Sequence, residues 1–221
     1  MKIIQNLVSK DKYSIKCPHS MVPQYITIHN TANDASATNE IKYMISNDNK
    51  VSFHVAVDDW QAVQGIPFDR NAWHCGDGGS GTGNRKSIGV EICYSKSGGA
   101  KYEKAVKNAI EVVAQLMKQY NIPATKIMYH KHWNGKYCPH RLLDDGISVE
   151  AFRKAVQLKY DELYKEKEPV KDNTPNPWAK DAVEWALKNG ILLGDENGNY
   201  KLHSGCTRED VLVFLYRALK K

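Results

Sequence analysis

The segment YITIHN, at residues 25–30, alternates isoleucine with polar residues and ends in a histidine and an asparagine. Such alternation among β-branched and aromatic residues predicts a β-strand. Three later segments have the same character, namely SFHVAV at 52–57, IGVEICY at 88–94 and KIMYH at 126–130. Each of the four ends near a polar residue that could take part in chemistry.

Segments with the helical spacing of apolar residues lie between and after these strands. The segment TNEIKYMISN and the stretch from Tyr102 to Tyr120 both show this spacing, and Pro123 prevents the second from continuing. Ser148, a favourable N-cap residue, opens a further helix. Alternating strands and helices predict an α/β domain over residues 1–160, with a central mixed β-sheet flanked by helices.

The remainder of the chain predicts a linker and a small all-α domain. Residues 161–176 gather charged residues and prolines with little apolar content, which is typical of a linker. Residues 177–221 then contain two helical patterns. The first ends at Gly190 in the C′ position, and the second begins with Thr207 and Asp210, which suit a capping box.

The composition favours a soluble globular protein made in a reducing compartment. Hydrophobic residues make up 42% of the 221 residues and charged residues 25%. No segment approaches the roughly 20 apolar residues that cross a bilayer. The N-terminal apolar run is interrupted by polar residues, and the five cysteines are irregularly spaced, so neither a signal peptide nor a disulfide framework is predicted.

The net charge of +6 is concentrated in the first domain, since residues 1–160 alone carry +7. A positive surface attracts polyanions over a distance. Nucleic acid and the anionic polymers of a bacterial cell wall are both candidate partners at this point.

A cluster of imidazole and thiol side chains predicts a metal site. The segment HKHWNGKYCPH places His130, His132, Cys138 and His140 within eleven positions, and His29 ends the first strand. A catalytic Zn²⁺ takes three such ligands and leaves a fourth position for water. Spacing alone does not decide which of the histidines bind, and the HExxH and paired CxxC signatures are absent from the sequence.

Five motifs together resemble a known family. YITIHNTA, SFHVAVDD, NAWHCGDG, SIGVEICYS and HWNGKYCPHRLL occur in an order and at separations similar to those of the type-2 N-acetylmuramoyl-L-alanine amidases. That group includes phage endolysins and peptidoglycan recognition proteins, and the resemblance covers about residues 1–160. It implies that zinc binds His29, His130 and Cys138, which leaves His132 and His140 outside the site.

The resemblance also implies roles for the residues around the metal. Glu91, in the strand IGVEICY, matches the family's proton carrier, and Lys136 matches a lysine that stabilises the oxyanion. His54 is expected to support the ligands without binding the metal, and His74 to contact substrate. Some relatives have a catalytic tyrosine where this sequence has Phe53, so Glu91 carries more of the proton transfer here.

Three other signals predict different chemistry but are less consistent with their surroundings. GDGGSG at 76–81 fits a dinucleotide motif without the strand and helix that it requires. DENGN at 195–199 begins like a calcium-binding loop, but Tyr200 and Cys206 replace its glycine and glutamate. Cys138 acting as a thiol nucleophile would leave Glu91 and His29 without a role.

The C-terminal domain resembles one S-layer homology repeat, a module that binds cell-wall polymers. The resemblance implies that Arg208, in the TRED segment, contacts a secondary cell-wall polymer. Such repeats usually occur in threes, so a lone repeat is expected to bind weakly, to gain avidity by oligomerising, or to act as a homodimer contact.

These inferences predict an endolysin or autolysin that cleaves the bond between N-acetylmuramic acid and L-alanine in peptidoglycan. We expect no nucleic-acid or membrane partner, synthesis in the cytoplasm, release by a phage holin and action on the bacterial cell wall. The alternatives are a module that binds peptidoglycan without cleaving it and a cytoplasmic recycling amidase. The presence of Cys138 favours hydrolysis over binding alone, and the wall-anchor resemblance counts against recycling.

Overall fold

The computed structural model describes residues 1–165 and 171–220. The chain divides into two compact units, Met1–Lys165 and Glu166–Lys221.

A six-stranded sheet forms the centre of the first unit. Its strands are β1 (Ile3–Gln5), β2 (Tyr25–Asn30), β3 (Val55–Val57), β4 (Ala62–Gln64), β5 (Ser87–Ile92) and β6 (Ile127–Tyr129). They lie in the order β1-β4-β3-β5-β2-β6. Every neighbouring pair is parallel except β3 and β4, which are antiparallel. The mixed sheet and its flanking helices confirm the predicted α/β fold class.

The helices of the first unit follow the chain between and beyond these strands. They are α1 (Tyr13–Lys16), α2 (Ala37–Ser46), α3 (Thr82–Lys86), α4 (Gly99–Tyr120), α5 (Lys131–Asn134), α6 (His140–Asp144) and α7 (Val149–Tyr164). Two short 3₁₀ helices, Lys10–Lys12 and Ala124–Lys126, precede α1 and β6.

Apolar residues cover both faces of the sheet, as a central sheet requires. Val55 and Val57 join residues of α4 and α7 in the larger core cluster. Ala56, between them in the strand, instead joins Ile41 and Met44 of α2 in a second cluster. Successive strand residues point to opposite faces, so β3 contributes to both layers.

The observed strands differ from the predicted ones mainly in length. β2 has the predicted bounds, whereas β3 spans Val55–Val57 rather than residues 52–57. Ser52 leaves the strand because its backbone N–H donates to the carbonyl of Trp73 in a neighbouring loop. Strands β1 and β4 were not predicted, since three residues are too few to show a period of two.

The helical predictions hold at the ends where capping chemistry is strong. The Ser148 side chain accepts the N–H of Ala151 at the start of α7, as an N-cap residue should. This helix continues to Tyr164, beyond the predicted domain boundary at residue 160. Asn121 ends α4 in the left-handed conformation.

The second unit contains a 3₁₀ turn, Pro177–Ala179, and two helices, α8 (Lys180–Lys188) and α9 (Arg208–Leu219). Thr207 and Asp210 form the predicted capping box of α9. From the predicted linker, Asp172 bonds to His203 and therefore belongs to this unit. Residues 166–170 of the same linker lie outside the described residues. Within the described chain, no helix is both long enough and apolar enough to cross a membrane.

Candidate metal site and cleft

Three neighbouring parallel strands bring the predicted site residues to one edge of the sheet. β2 lies between β5 and β6, so the carboxyl ends of all three meet there. His29 and Glu91 are directly paired across β2 and β5, and His130 follows β6 immediately. The turn after α5 then returns Cys138 to the same edge.

His29, His130 and Cys138 come together as a buried cluster of donor atoms. The Nδ1 atom of His29 lies 3.1 Å from Nδ1 of His130 and 3.8 Å from Sγ of Cys138. All three donor atoms lie within 4.8 Å of one another. In tetrahedral zinc sites, Zn–N bonds of about 2.0 Å and Zn–S bonds of about 2.3 Å separate the ligand atoms by roughly 3.3–3.6 Å. The spacing and chemistry of this donor set fit zinc.

The protonation of the two imidazoles also suits metal binding. Burial, followed by the neighbouring His74, lowers the pKa of His29 well below its usual value. Burial and then Lys136 lower the pKa of His130. Both rings are therefore neutral at physiological pH, and a neutral imidazole has the lone pair that a metal needs.

His74 determines which nitrogen of His29 carries the proton. Its Nε2 lies 3.2 Å from the carbonyl oxygen of Ser87, which can only accept, so His74 is protonated there. Its Nδ1 then accepts the N–H of His29 Nε2 across 2.9 Å. The lone pair of His29 Nδ1 is left facing His130 and Cys138. Metal-binding histidines commonly donate their other nitrogen in this way.

A second group of donors, His29, His74 and Cys75, is also close enough to hold a metal. It shares His29 with the first group. In this group, His74 accepts the His29 Nε2 proton at its Nδ1 and donates from its Nε2 to the Ser87 carbonyl, so neither nitrogen of His74 has a lone pair left for a metal. We assign the candidate zinc site to the first group.

Burial, followed by the neighbouring Glu91, raises the pKa of the Cys138 thiol to about 11. The backbone amides of Asn30 and His140, together with Lys136, act in the opposite direction. A bound zinc ion deprotonates a coordinating thiol outright. These amides therefore offset only part of the effect of burial, and a bound zinc ion would supply the rest of the stabilisation of the thiolate.

Glu91 has the environment of a proton carrier. Burial and then the nearby Glu40 raise the pKa of its carboxyl to about 8, although Lys136 opposes the shift. Its Oε2 atom is shielded from solvent and has no hydrogen-bond partner in the described part of the chain. A carboxyl with one free oxygen and a pKa near neutrality can both take up and release a proton.

These residues lie in a cleft of about 550 Å³. The predicted site residues among its lining are His29, His74, Glu91, His130, Lys136 and Cys138. Lys136 is exposed, so its ammonium can reach a bound molecule. Phe53 forms part of the wall, where a tyrosine would have offered a hydroxyl.

The remaining histidines lie outside the donor cluster. His54 is fully buried and uses both nitrogens on the backbone, accepting from Gly89 N–H at 2.9 Å and donating to the Arg70 carbonyl at 3.0 Å. His132 is exposed on α5, and His140 is the first residue of α6. Neither belongs to a group of metal-binding donors among the described residues.

Sequence reasoning missed Asn30, the residue after the first ligand. Its side-chain Oδ1 accepts the backbone N–H of Arg141 at 2.9 Å and of Leu142 at 3.4 Å, at the start of α6. Asn30 thereby ties the end of β2 to the helix that follows Cys138. Its position next to His29 could have indicated this role. Successive residues of a strand point to opposite faces of the sheet, so Asn30 faces away from the metal ligand.

In the second unit, Arg208 is the exposed first residue of α9. A groove of about 690 Å³ lies nearby and is lined by residues between Leu192 and Arg217. Arg208 is not part of that lining. Its predicted contact with a wall polymer would therefore take place on the open surface of α9.

Comparisons with known proteins identify one family in each of the two units. Residues 19–141 match the N-acetylmuramoyl-L-alanine amidase family, and residues 171–212 match the S-layer homology domain. The N-acetylmuramoyl-L-alanine amidase CwlA of Bacillus subtilis is 48% identical over 99% of this chain and 79% of its own length. XlyB, an amidase of the same organism, is 62% identical over 64% of this chain and 45% of its own length. The solved structure of PlyL has a TM-score of 0.69 and 61% identity, covering 71% of this chain and 97% of that one.

Proposed function

This chain belongs to the N-acetylmuramoyl-L-alanine amidase family, and from that premise we propose that it is a zinc-dependent peptidoglycan hydrolase. Its reaction would break the amide bond between N-acetylmuramic acid and L-alanine. One observation carries the proposal: His29, His130 and Cys138 converge in a cleft beside a carboxyl, Glu91, whose pKa is raised to about 8.

The chemistry divides between the metal and the side chains around it. Zinc held by the three ligands would polarise the amide carbonyl and lower the pKa of a bound water to about 7. Glu91 takes the proton from the attacking water and passes it to the departing amine nitrogen. Lys136 stabilises the negative charge that develops on the carbonyl oxygen. Phe53 cannot exchange protons, so this transfer depends on Glu91.

The proposal predicts that Glu91→Gln abolishes lysis while the metal remains bound. Glutamine keeps the shape of the side chain but cannot carry the proton, so we expect the rate to fall by about 100-fold or more. The measurements are zinc content and the loss of turbidity of purified Gram-positive cell walls. Glu103→Gln, at an exposed position on α4, is the matched control and should retain the wild-type rate.

Zinc content separates this proposal from its rivals. Cys138→Ser should lose most of its zinc, and treatment of the wild type with a chelator should stop lysis until zinc is restored. A wild-type protein that contains no zinc, or a Glu91→Gln variant with full activity, would contradict the proposed mechanism. Binding to cell walls without release of peptide would favour the alternative function, a module that binds peptidoglycan without cleaving it.

We further propose that the second unit, which carries the S-layer homology domain, holds the enzyme on the cell wall. Arg208 is the candidate contact because its guanidinium is exposed and suits an anionic polymer. Release by a holin stays a prediction from the sequence.

The anchoring role predicts that Arg208→Ala weakens wall binding of the full chain. The measurement is the fraction of protein that sediments with purified walls, over a range of salt concentrations. Lys188→Ala removes an exposed cation at the end of α8 and serves as the control. Equal sedimentation of the Arg208 and Lys188 variants with the wild type would exclude Arg208 as the contact.

A further inference from the structure

Lys16, the last residue of α1, is fully buried, although lysine is rarely buried in proteins. Its ammonium donates to Asn47 Oδ1 at 2.9 Å, to the Asn49 carbonyl at 2.7 Å and to the Val51 carbonyl at 3.1 Å. All three acceptors belong to the segment that follows α2. The three bonds satisfy every donor of the ammonium, which is what makes its burial tolerable.

The same short helix holds the next part of the chain. The Ser52 hydroxyl donates to the Lys16 carbonyl at 2.6 Å and accepts the backbone N–H of Trp73 at 2.9 Å. The indole Nε1 of Trp73 donates to the carbonyl of Ile15 at 2.9 Å. Helix α1 therefore fastens two separate segments, residues 47–52 and Trp73, to one another.

Both segments form one side of the cleft that contains the candidate zinc site. This side, which we call the cleft wall, consists of Lys50, Val51, Ser52, Phe53 and Trp73. None of its residues is a proposed zinc ligand or proton carrier. The cleft wall is therefore available to bind the part of the substrate that does not react.

The chemistry of the cleft wall suits an anionic peptide. The Lys50 ammonium lies 5.0 Å from the centre of the Trp73 ring and is exposed. Val51 has an exposed fraction of 60%. A cation beside apolar and aromatic surface can pair with a carboxylate while the rest of a peptide packs against the side chains. The peptide of peptidoglycan begins at the reacting amide and carries free carboxylates.

We propose that the cleft wall binds the peptide part of the substrate and that Lys50 contacts a peptide carboxylate. Lys16 is then the positioning residue that holds the cleft wall in place. This inference rests on the proposed amidase function. Lys16 does not touch the substrate, because it is covered by the segment that it holds. Its effect should therefore appear in substrate binding and not in the chemical step.

Lys16→Met tests the positioning role, with a soluble N-acetylmuramyl tetrapeptide as the substrate. Loss of three hydrogen bonds should loosen residues 47–51, so KM should rise by about tenfold or more while kcat stays within about threefold of wild type. Zinc content should not change. Amide hydrogen exchange of residues 48–51 should become faster. Lys42→Met, at an exposed position on α2, is the control and should leave all four quantities unchanged.

Asn47→Ala keeps the test valid if Lys16→Met does not fold. This variant removes one acceptor of the Lys16 ammonium and keeps its bonds to the Asn49 and Val51 carbonyls, so a smaller rise in KM is expected. Normal KM in folded Lys16→Met and Asn47→Ala proteins would overturn the positioning role. A fall in kcat or zinc content at constant KM would overturn it as well.

Lys50 is tested by changing the charge of each partner. Lys50→Met should raise KM for the tetrapeptide, and amidation of the peptide carboxylates should raise KM for the wild type but not for Lys50→Met. An equal change in KM for wild type and Lys50→Met on amidation of the peptide would overturn the proposed contact between Lys50 and a peptide carboxylate. Both tests require a wild-type protein that contains zinc and releases the peptide. A wild type that lacked zinc or released no peptide would contradict the proposed function and not the role of Lys50 or Lys16.

Discussion

His74 contacts His29 on one side and the backbone of Ser87 on the other, and its two ring nitrogens serve these two partners. The neighbouring Gly89 leaves room for this arrangement, because a Cβ at that position would lie 2.8 Å from His74 Nδ1. The sequence predicted a substrate contact for His74. The hydrogen bonds lead us to propose instead that it orients His29, a role that a pattern of residues does not reveal.

We predict that His74→Phe weakens zinc binding. Phenylalanine cannot accept the proton of His29 Nε2, so the lone pair of Nδ1 is no longer fixed toward the metal. Loss of such a partner typically lowers metal affinity by about 10–100-fold. Competition with a chromogenic chelator measures the affinity. His132→Phe, exposed on α5, is the control. Wild-type zinc affinity with a raised KM would favour the substrate contact.

At the scale of elements, the short helix α6 depends on a residue from a distant strand. Its N-cap position is Pro139, which offers no side-chain acceptor. In its place, the Asn30 Oδ1 atom accepts the N–H groups of the second and third residues of α6, Arg141 and Leu142. The Asn30 Nδ2 atom donates to Tyr102 OH at 3.3 Å. Because α6 begins two residues after Cys138, this cap also restrains the thiol.

We predict that Asn30→Ala lowers zinc affinity by about tenfold or more, because the turn that carries Cys138 is released. In the cobalt-substituted protein, the thiolate-to-cobalt charge-transfer absorption band should weaken as well. Asn30→Asp keeps the acceptor oxygen and should behave like wild type. Tyr102→Phe removes only the bond to Nδ2 and should have little effect. A full thiolate band in folded Asn30→Ala would contradict the prediction.

At the scale of the whole molecule, the second unit leaves much of its apolar surface uncovered. Ile191 is its one buried residue in the described range 171–220. Trp178, Leu212 and Leu219 are exposed by 86%, 65% and 81%. About fifty residues with so little buried surface make a marginal fold. Residues 172–221 carry equal numbers of acidic and basic side chains, so copies would not repel one another.

We therefore predict that the full chain forms homodimers or larger assemblies through this unit. Sedimentation equilibrium should show association that Leu212→Glu reduces, because a carboxylate in an apolar contact loses its hydration. Leu158→Glu, at a position on α7 in the first unit that is 62% exposed, should leave the association unchanged. A wild type that remains monomeric at high concentration would refute the prediction.

The sequence by itself determined the fold class, the strand that carries His29, the N-cap at Ser148 and the capping box at Thr207. These features depend on periodicity or on residues a few positions apart, which a sequence displays directly. The ordered motifs also led to the candidate ligands His29, His130 and Cys138 through a family resemblance. Spacing alone had left several histidines as equal candidates.

Only the tertiary structure decided how these residues work together. Adjacency of β2, β5 and β6 places His29 beside Glu91 and His130, although about a hundred positions separate His29 from His130 in the chain. The orientation of His29 by His74 and the support of the cleft wall by Lys16 likewise depend on contacts between distant segments. The pairing of strands creates such contacts, and no local pattern of residue types records which distant groups will meet.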